Sequence, residues 1–132
     1  MNYYDNPEFL EAVAQYQKEY GKEMQGYVKF PKFLFDKKYI KLSLGAKILY
    51  ACMLEREKIS KENNWLDKTK RLFIYFTTKE ISQTFNVSMP TAINMMNELR
   101  DANLIEKRYQ GLGRPTVIYV NKPNNYTESY VN

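Results

Sequence analysis

The stretch "NVSMPTAINMMNEL", residues 86–99, carries hydrogen-bonding side chains of the types that read DNA base edges. Asn can bond bidentately to adenine, Glu can accept from cytosine, and Thr can touch a thymine methyl. Asn94, Asn97, Glu98 and Thr91 supply these groups. On a wheel of about 100° per residue, Ala92, Met95, Met96 and Leu99 point to one side. Pro90, Asn94, Asn97 and Asp101 point away, with Thr91 and Glu98 more lateral. The pattern predicts a helix over about 89–102, announced by Ser88. Ser88 and Thr91, at its N-terminus, could fix register on a phosphate through hydroxyl and backbone donors. Taken alone, such a polar side is more often that of a solvated surface helix, and it is the basic hairpin after it that favours DNA.

A basic hairpin follows. "LIEKRY" (104–109) and "TVIYV" (116–120) are strand-like runs flanking "QGLGRP", and Gly111 and Gly113 permit a tight turn. Lys107, Arg108, Arg114 and Lys122 flank or occupy it. Residues 68–122 hold nine basic side chains against four acidic, a net +5, so the excess charge lies where the motif lies. Laid along DNA, this hairpin would put Arg114 in a minor groove and Lys107 or Arg108 on phosphates, with Gly113 allowing close backbone approach. The candidate DNA-binding set is therefore Ser88, Pro90, Thr91, Asn94, Asn97, Glu98, Lys107, Arg108, Gly113 and Arg114.

The elements that must hold these residues are legible upstream. "RLFIYF" (71–76) is β-rich, and Thr77 with Glu80 forms a capping-box signature opening a helix over about 78–85. Helix, three-residue break, helix and hairpin make a winged helix-turn-helix, mainly α with a small antiparallel β component. Ser43 caps a central helix over about 44–61, with Leu44, Ala46, Ile48, Leu49, Ala51, Cys52 and Leu54 as its apolar set. Before it, residues 27–42 alternate aromatic side chains with Lys29, Lys32, Lys37, Lys38 and Lys41, which suits a packed segment with a basic rim. "SKENNWLDKTK" (60–70) reads as a connecting loop pinned by Trp65. Three parts are expected: an arm over 1–27, the winged-helix domain over 28–122, and a tail or linker over 123–132. The arm holds an amphipathic helix whose Phe9, Leu10, Val13, Tyr16 and Tyr20 would pack either on their own domain or on a second copy.

Composition narrows the chemistry. The chain of 132 residues suits one compact domain, and 20 Lys and Arg against 15 Asp and Glu favour an acidic partner. With no histidine and one cysteine, zinc clusters, Ser-His or Cys-His nucleophile pairs and the His-ligated metal of rolling-circle nickases are excluded. Neither an enzyme nor a cofactor is expected. Cys52 sits in an apolar helical run and reads as a core thiol, consistent with a reducing cytoplasm. With no leader and no apolar run near ~18 residues, a soluble, cytoplasmic protein without membrane contact is expected.

Five stretches carry a resemblance. "KFPKFLF" (29–35), "LSLGAKILYACMLER" (42–56), "NNWLD" (63–67), "IYFTTKEI" (74–81) and "NELRDANLIEKRYQGLGRPTVIYV" (97–120) are similar, in this order, to the RepA N-terminal domain of bacterial plasmid replication initiators. The resemblance implies a domain that binds repeated double-stranded sequences in a replication origin, as a homodimer or higher oligomer. It also implies recruitment of host replication proteins through a separate C-terminal domain. Its DNA-reading helix corresponds to the segment starting at Ser88 and its wing to Gln110–Pro115, with Arg114 where lysine is expected. That exchange keeps the charge and changes the donor geometry. The same fold also admits a transcriptional repressor or a protein-interaction module.

Overall fold

A computed structural model describes residues 28–123 and 126. The expected arm helix and most of the tail lie outside the described residues.

Two short 3-10 turns, Lys32–Phe35 and Lys37–Tyr39, open the described chain and bury Leu34 and Tyr39. Phe33 meets the rings of Tyr39 and Tyr50 edge-on at 5.6 and 5.7 Å. Helix α1, Leu44–Glu62, starts where the Ser43 hydroxyl accepts from the Ala46 N–H. Its buried side is Ala46, Leu49, Tyr50, Cys52, Met53, Arg56 and Ile59. The apolar set expected from sequence is corrected here: Leu44 is 66% exposed and Ile48 39%. Position along the helix accounts for the difference: Leu44 and Ile48 stand in the first turns of α1, whereas Ala51, Cys52 and Ile59, on the same side further along, are buried. At Gly45 a Cβ would lie 3.4 Å from Met95 Sδ of a neighbouring helix.

Arg56 is fully buried. Its Nη1 and Nη2 donate to Glu80 at 2.9 and 2.8 Å, Nη1 also donates to the Tyr75 carbonyl at 2.7 Å, and the guanidinium lies 3.9 Å from the Phe76 ring centre. The capping box is thus half formed. Thr77 Oγ accepts from the Glu80 N–H at 3.0 Å, but the Glu80 carboxylate is held by Arg56 rather than turned back to the cap.

The loop after α1 is built rather than merely connecting. Asp67 Oδ1 accepts from the Thr69 N–H and hydroxyl and the Arg71 N–H, and Oδ2 accepts from the Tyr119 hydroxyl at 2.6 Å. Burial opposes ionisation, yet bonds from Tyr119, Arg71 and Thr69 outweigh it and hold this carboxyl below its ordinary range. Trp65 packs against the core, as expected.

Strands β1 (Ile74–Tyr75), β2 (Ile105–Arg108) and β3 (Val117–Val120) form an antiparallel sheet with β3 in the middle. The expected strand over 71–76 shortens to two residues. Ile118 and Val120 face the helices, while Val117 and Tyr119 join Phe73 and Tyr75 in a second cluster on the outer face. Helices α2 (Thr78–Phe85) and α3 (Met89–Asp101) are joined by Asn86 in the left-handed region at φ 53°, which asparagine tolerates. The Ser82 hydroxyl donates to the Val87 carbonyl at 2.6 Å and fixes the turn. The winged helix-turn-helix arrangement follows from this order.

Candidate nucleic-acid interface

Helix α3 presents the face that its periodicity predicts. Ala92, Met95, Met96 and Leu99 are buried, packed with Ile81 and α1 residues in the main core. Pro90, Thr91, Asn94 and Asp101 are exposed and Asn97 is half-buried. Ser88 caps the helix: its hydroxyl accepts from the Thr91 N–H at 3.2 Å and donates to Thr91 Oγ at 2.9 Å. Thr91 thereby keeps a hydroxyl proton for a partner outside the domain.

Glu98 is placed differently from the expectation. Its Oε1 accepts from the Ser43 N–H and its Oε2 from the Ser43 hydroxyl, each at 2.8 Å. Lateral on α3, this carboxylate reaches the start of α1 and locks the two helices together, so both oxygens are engaged inside the domain. Ile93, 46% exposed, and Met89, 45% exposed, share the outward arc instead. Apolar character alone would assign both to the core. Ile93 lies about 40° from Asn97 on the wheel, which carried the signal, whereas Met89 lies about 20° from Met96 and is exposed at the first residue of the helix.

The hairpin separates its two strand cations. Lys107 pairs with Ile118, on the helix side of the sheet, whereas Arg108 pairs with Val117 on the outer side. Lys107 therefore borders α3. Partial burial and the neighbouring Arg100 charge both lower its pKa from the ordinary lysine value. At the wing tip Gly111 and Gly113 have φ of 111° and 77°, with open space around both, so the backbone conformation and not crowding calls for glycine. Gln110 Nε2 donates to the Pro115 carbonyl at 2.6 Å and braces the loop. Leu112, Arg114 and Tyr109 stand outward, Leu112 almost completely. Two basic residues counted with the motif belong elsewhere: Lys122 pairs with Glu57 on α1, and Arg71 pairs with Glu106 while lying over the Tyr119 ring.

The resulting surface is a ridge with two flanks. The exposed side of α3 runs between the start of α1, at Ser43 and Gly45, and strand β2, at Lys107. Ser88, Pro90, Thr91, Asn94 and Asn97 are brought together on the ridge, and Arg114 and Gly113 project at the wing. A groove of 610 Å³ lined by Leu54, Glu55, Lys58 and Leu72 lies on the side of α1 away from α3. Among the described residues no group of three or more Cys, Asp or Glu side chains could hold a metal, and no helix is long and apolar enough to cross a membrane.

Comparison with known proteins agrees with this architecture. A structure described as the N-terminal domain of a DNA binding protein matches with a TM-score of 0.64 at 23% identity, covering 82% of each chain. One described as a Rep-DNA complex matches at 0.64 and 21% identity, over 81% of this chain and 83% of that one. One described as an MDR initiator matches at 0.61 and 26% identity, over 82% and 85%. A 41 kDa protein of Lactobacillus helveticus is 34% identical over 84 residues, 63% of this chain and 24% of that protein, so the match spans about a quarter of the curated relative. Residues 26–132 match the family described as Replication initiator protein A (RepA) N-terminus, and the chain belongs to that family.

Proposed function

We propose that this chain is the DNA-binding domain of a plasmid replication initiator and recognises repeated sequences in the replication origin. One observation carries the reading: the outward side of α3 holds Thr91, Asn94 and Asn97 beside a wing bearing Lys107 and Arg114. An α-helix fits the major groove, and a bidentate Asn–adenine pair discriminates by about 1–3 kcal/mol. Pro90 and Ile93 offer apolar surface to thymine methyls, Ser88 fixes the helix start near a phosphate, and Gly113 lets the wing backbone approach. Arg108, on the outer side of the sheet, takes a phosphate only where DNA curves around the wing. Glu98 is left to its structural role. The domain binds and does not catalyse, acts in the cytoplasm on double-stranded DNA, and pairs as a homodimer or higher oligomer on repeats. Host replication proteins are met by a C-terminal domain of the longer initiator.

Titration against duplexes carrying direct repeats of the origin and against scrambled duplexes of equal length tests the reading. At physiological salt the repeat duplex should bind at least about tenfold tighter, within the usual range of specificity ratios. Equal affinities would reject it.

A further inference from the structure

The densest basic stretch of the described chain leads into Ser43, on the flank of α3 opposite the wing. Residues 28–47 carry Lys29, Lys32, Lys37, Lys38, Lys41 and Lys47 against Asp36 alone, a net +5 that equals the net charge of all 132 residues. Buried Leu34 and Tyr39 anchor the two 3-10 turns and leave Lys37, Lys38 and Lys41 exposed. Lys41 comes two residues before Ser43, whose N–H and hydroxyl donate to Glu98 at 2.8 Å. Gly45, two residues after Ser43, faces Met95. These contacts tie the end of the segment to the Glu98 edge of α3, with Lys41 just before it, while Lys107 beside Arg100 takes the other edge.

A helix seated in a major groove has a phosphate strand on each side. Resting on the reading of α3 as the groove helix, we propose that Lys37, Lys38 and Lys41 contact the phosphate backbone on the strand away from the wing, so that the domain grips both borders of the groove. The start of α1 is not itself the anion site, because Glu98 already sits there; the three ammonium groups make the contact. Lys47, half-buried beside the Phe35 ring at 5.6 Å, takes no part, whereas Lys38 is exposed and its contact with the Tyr39 ring, also 5.6 Å, is one its flexible stem can exchange for a phosphate.

The test is binding of the full chain to repeat and scrambled duplexes across a salt series, comparing wild type, Lys37→Gln/Lys38→Gln/Lys41→Gln and a Lys58→Gln/Lys61→Gln control on the far side of α1. Each neutralised phosphate contributes about 0.9 to the slope of log K against log salt, so losing three contacts flattens it by about 2.7. Affinity should fall alike on both duplexes, since phosphates carry no sequence information, and the control should match wild type. An unchanged slope in the triple variant, with wild type still preferring repeats, overturns this proposal and leaves the α3 reading standing. Failure of wild type to bind duplex DNA overturns both. Ile40 and Leu44 are exposed apolar side chains beside these lysines, and an unchanged slope together with a reduced light-scattering mass for Ile40→Ser/Leu44→Ser would assign the surface to a second copy of the chain instead.

Discussion

Asn94 and Glu98 sit one turn apart on α3 in opposite surroundings. Asn94 is exposed and faces outward, whereas both Glu98 oxygens are occupied by Ser43. Asn94→Ala should lower affinity for the repeat duplex about 10- to 100-fold with little change in stability, the loss disappearing on duplexes altered at the one base it reads. Competition binding against single-base variants measures this. Glu98→Ala should do the reverse, costing about 1–2 kcal/mol in urea denaturation through lost charge-assisted bonds while leaving base preference unchanged. At this scale sequence periodicity located the outward side of α3 correctly, since Asn94, Asn97 and Thr91 needed only their 3.6-residue phase. Glu98 was not legible, because its partner lies 55 residues away and nothing local announces a long-range cap. The same holds for Arg56, which follows an apolar run and gives no sign that it will be buried.

Among elements, the joint between α1 and the helix-turn-helix and the brace of the wing decide whether the ridge is presented. Arg56 spans α1, the Tyr75 carbonyl of β1 and Glu80 of α2. Removing one partner of a buried pair leaves the other charge uncompensated, so Glu80→Ala should destabilise by about 3–5 kcal/mol, read as a shifted denaturant midpoint. Glu80 is partly exposed, 28% at its side chain, which favours the lower end of that range. The wing calls for a different outcome. Arg114→Ala with Lys107→Ala should reduce DNA binding by an order of magnitude or more and flatten the salt slope by up to about 2, without changing which duplex is preferred. Capping residues and the turn glycines made most element boundaries readable: Ser43, Thr77 and Ser88 all cap as their sequence positions suggest. The sheet was less so. Its strands are two to four residues long, and the outer cluster of Phe73, Tyr75, Val117 and Tyr119 depends on pairing between segments remote in sequence.

Over the whole molecule, charge and shape converge on one side. The wing stands at one flank of α3 and the lysine-rich segment that leads into Ser43 is the proposed border at the other, while the Arg71–Glu106 and Lys122–Glu57 pairs neutralise charge elsewhere. Family membership fits this layout, and the match spans about a quarter of the curated relative. The central claim is that the exposed side of α3 reads bases in repeated origin DNA. A hydroxyl-radical footprint on the replication origin of the plasmid carrying this gene, comparing wild type with Asn94→Ala/Asn97→Ala, tests it most directly. The account predicts discrete protected segments recurring with the origin repeats, lost or weakened in the variant at salt where wild type still protects. Protection that is uniform along the origin, or identical in the two proteins, would contradict it.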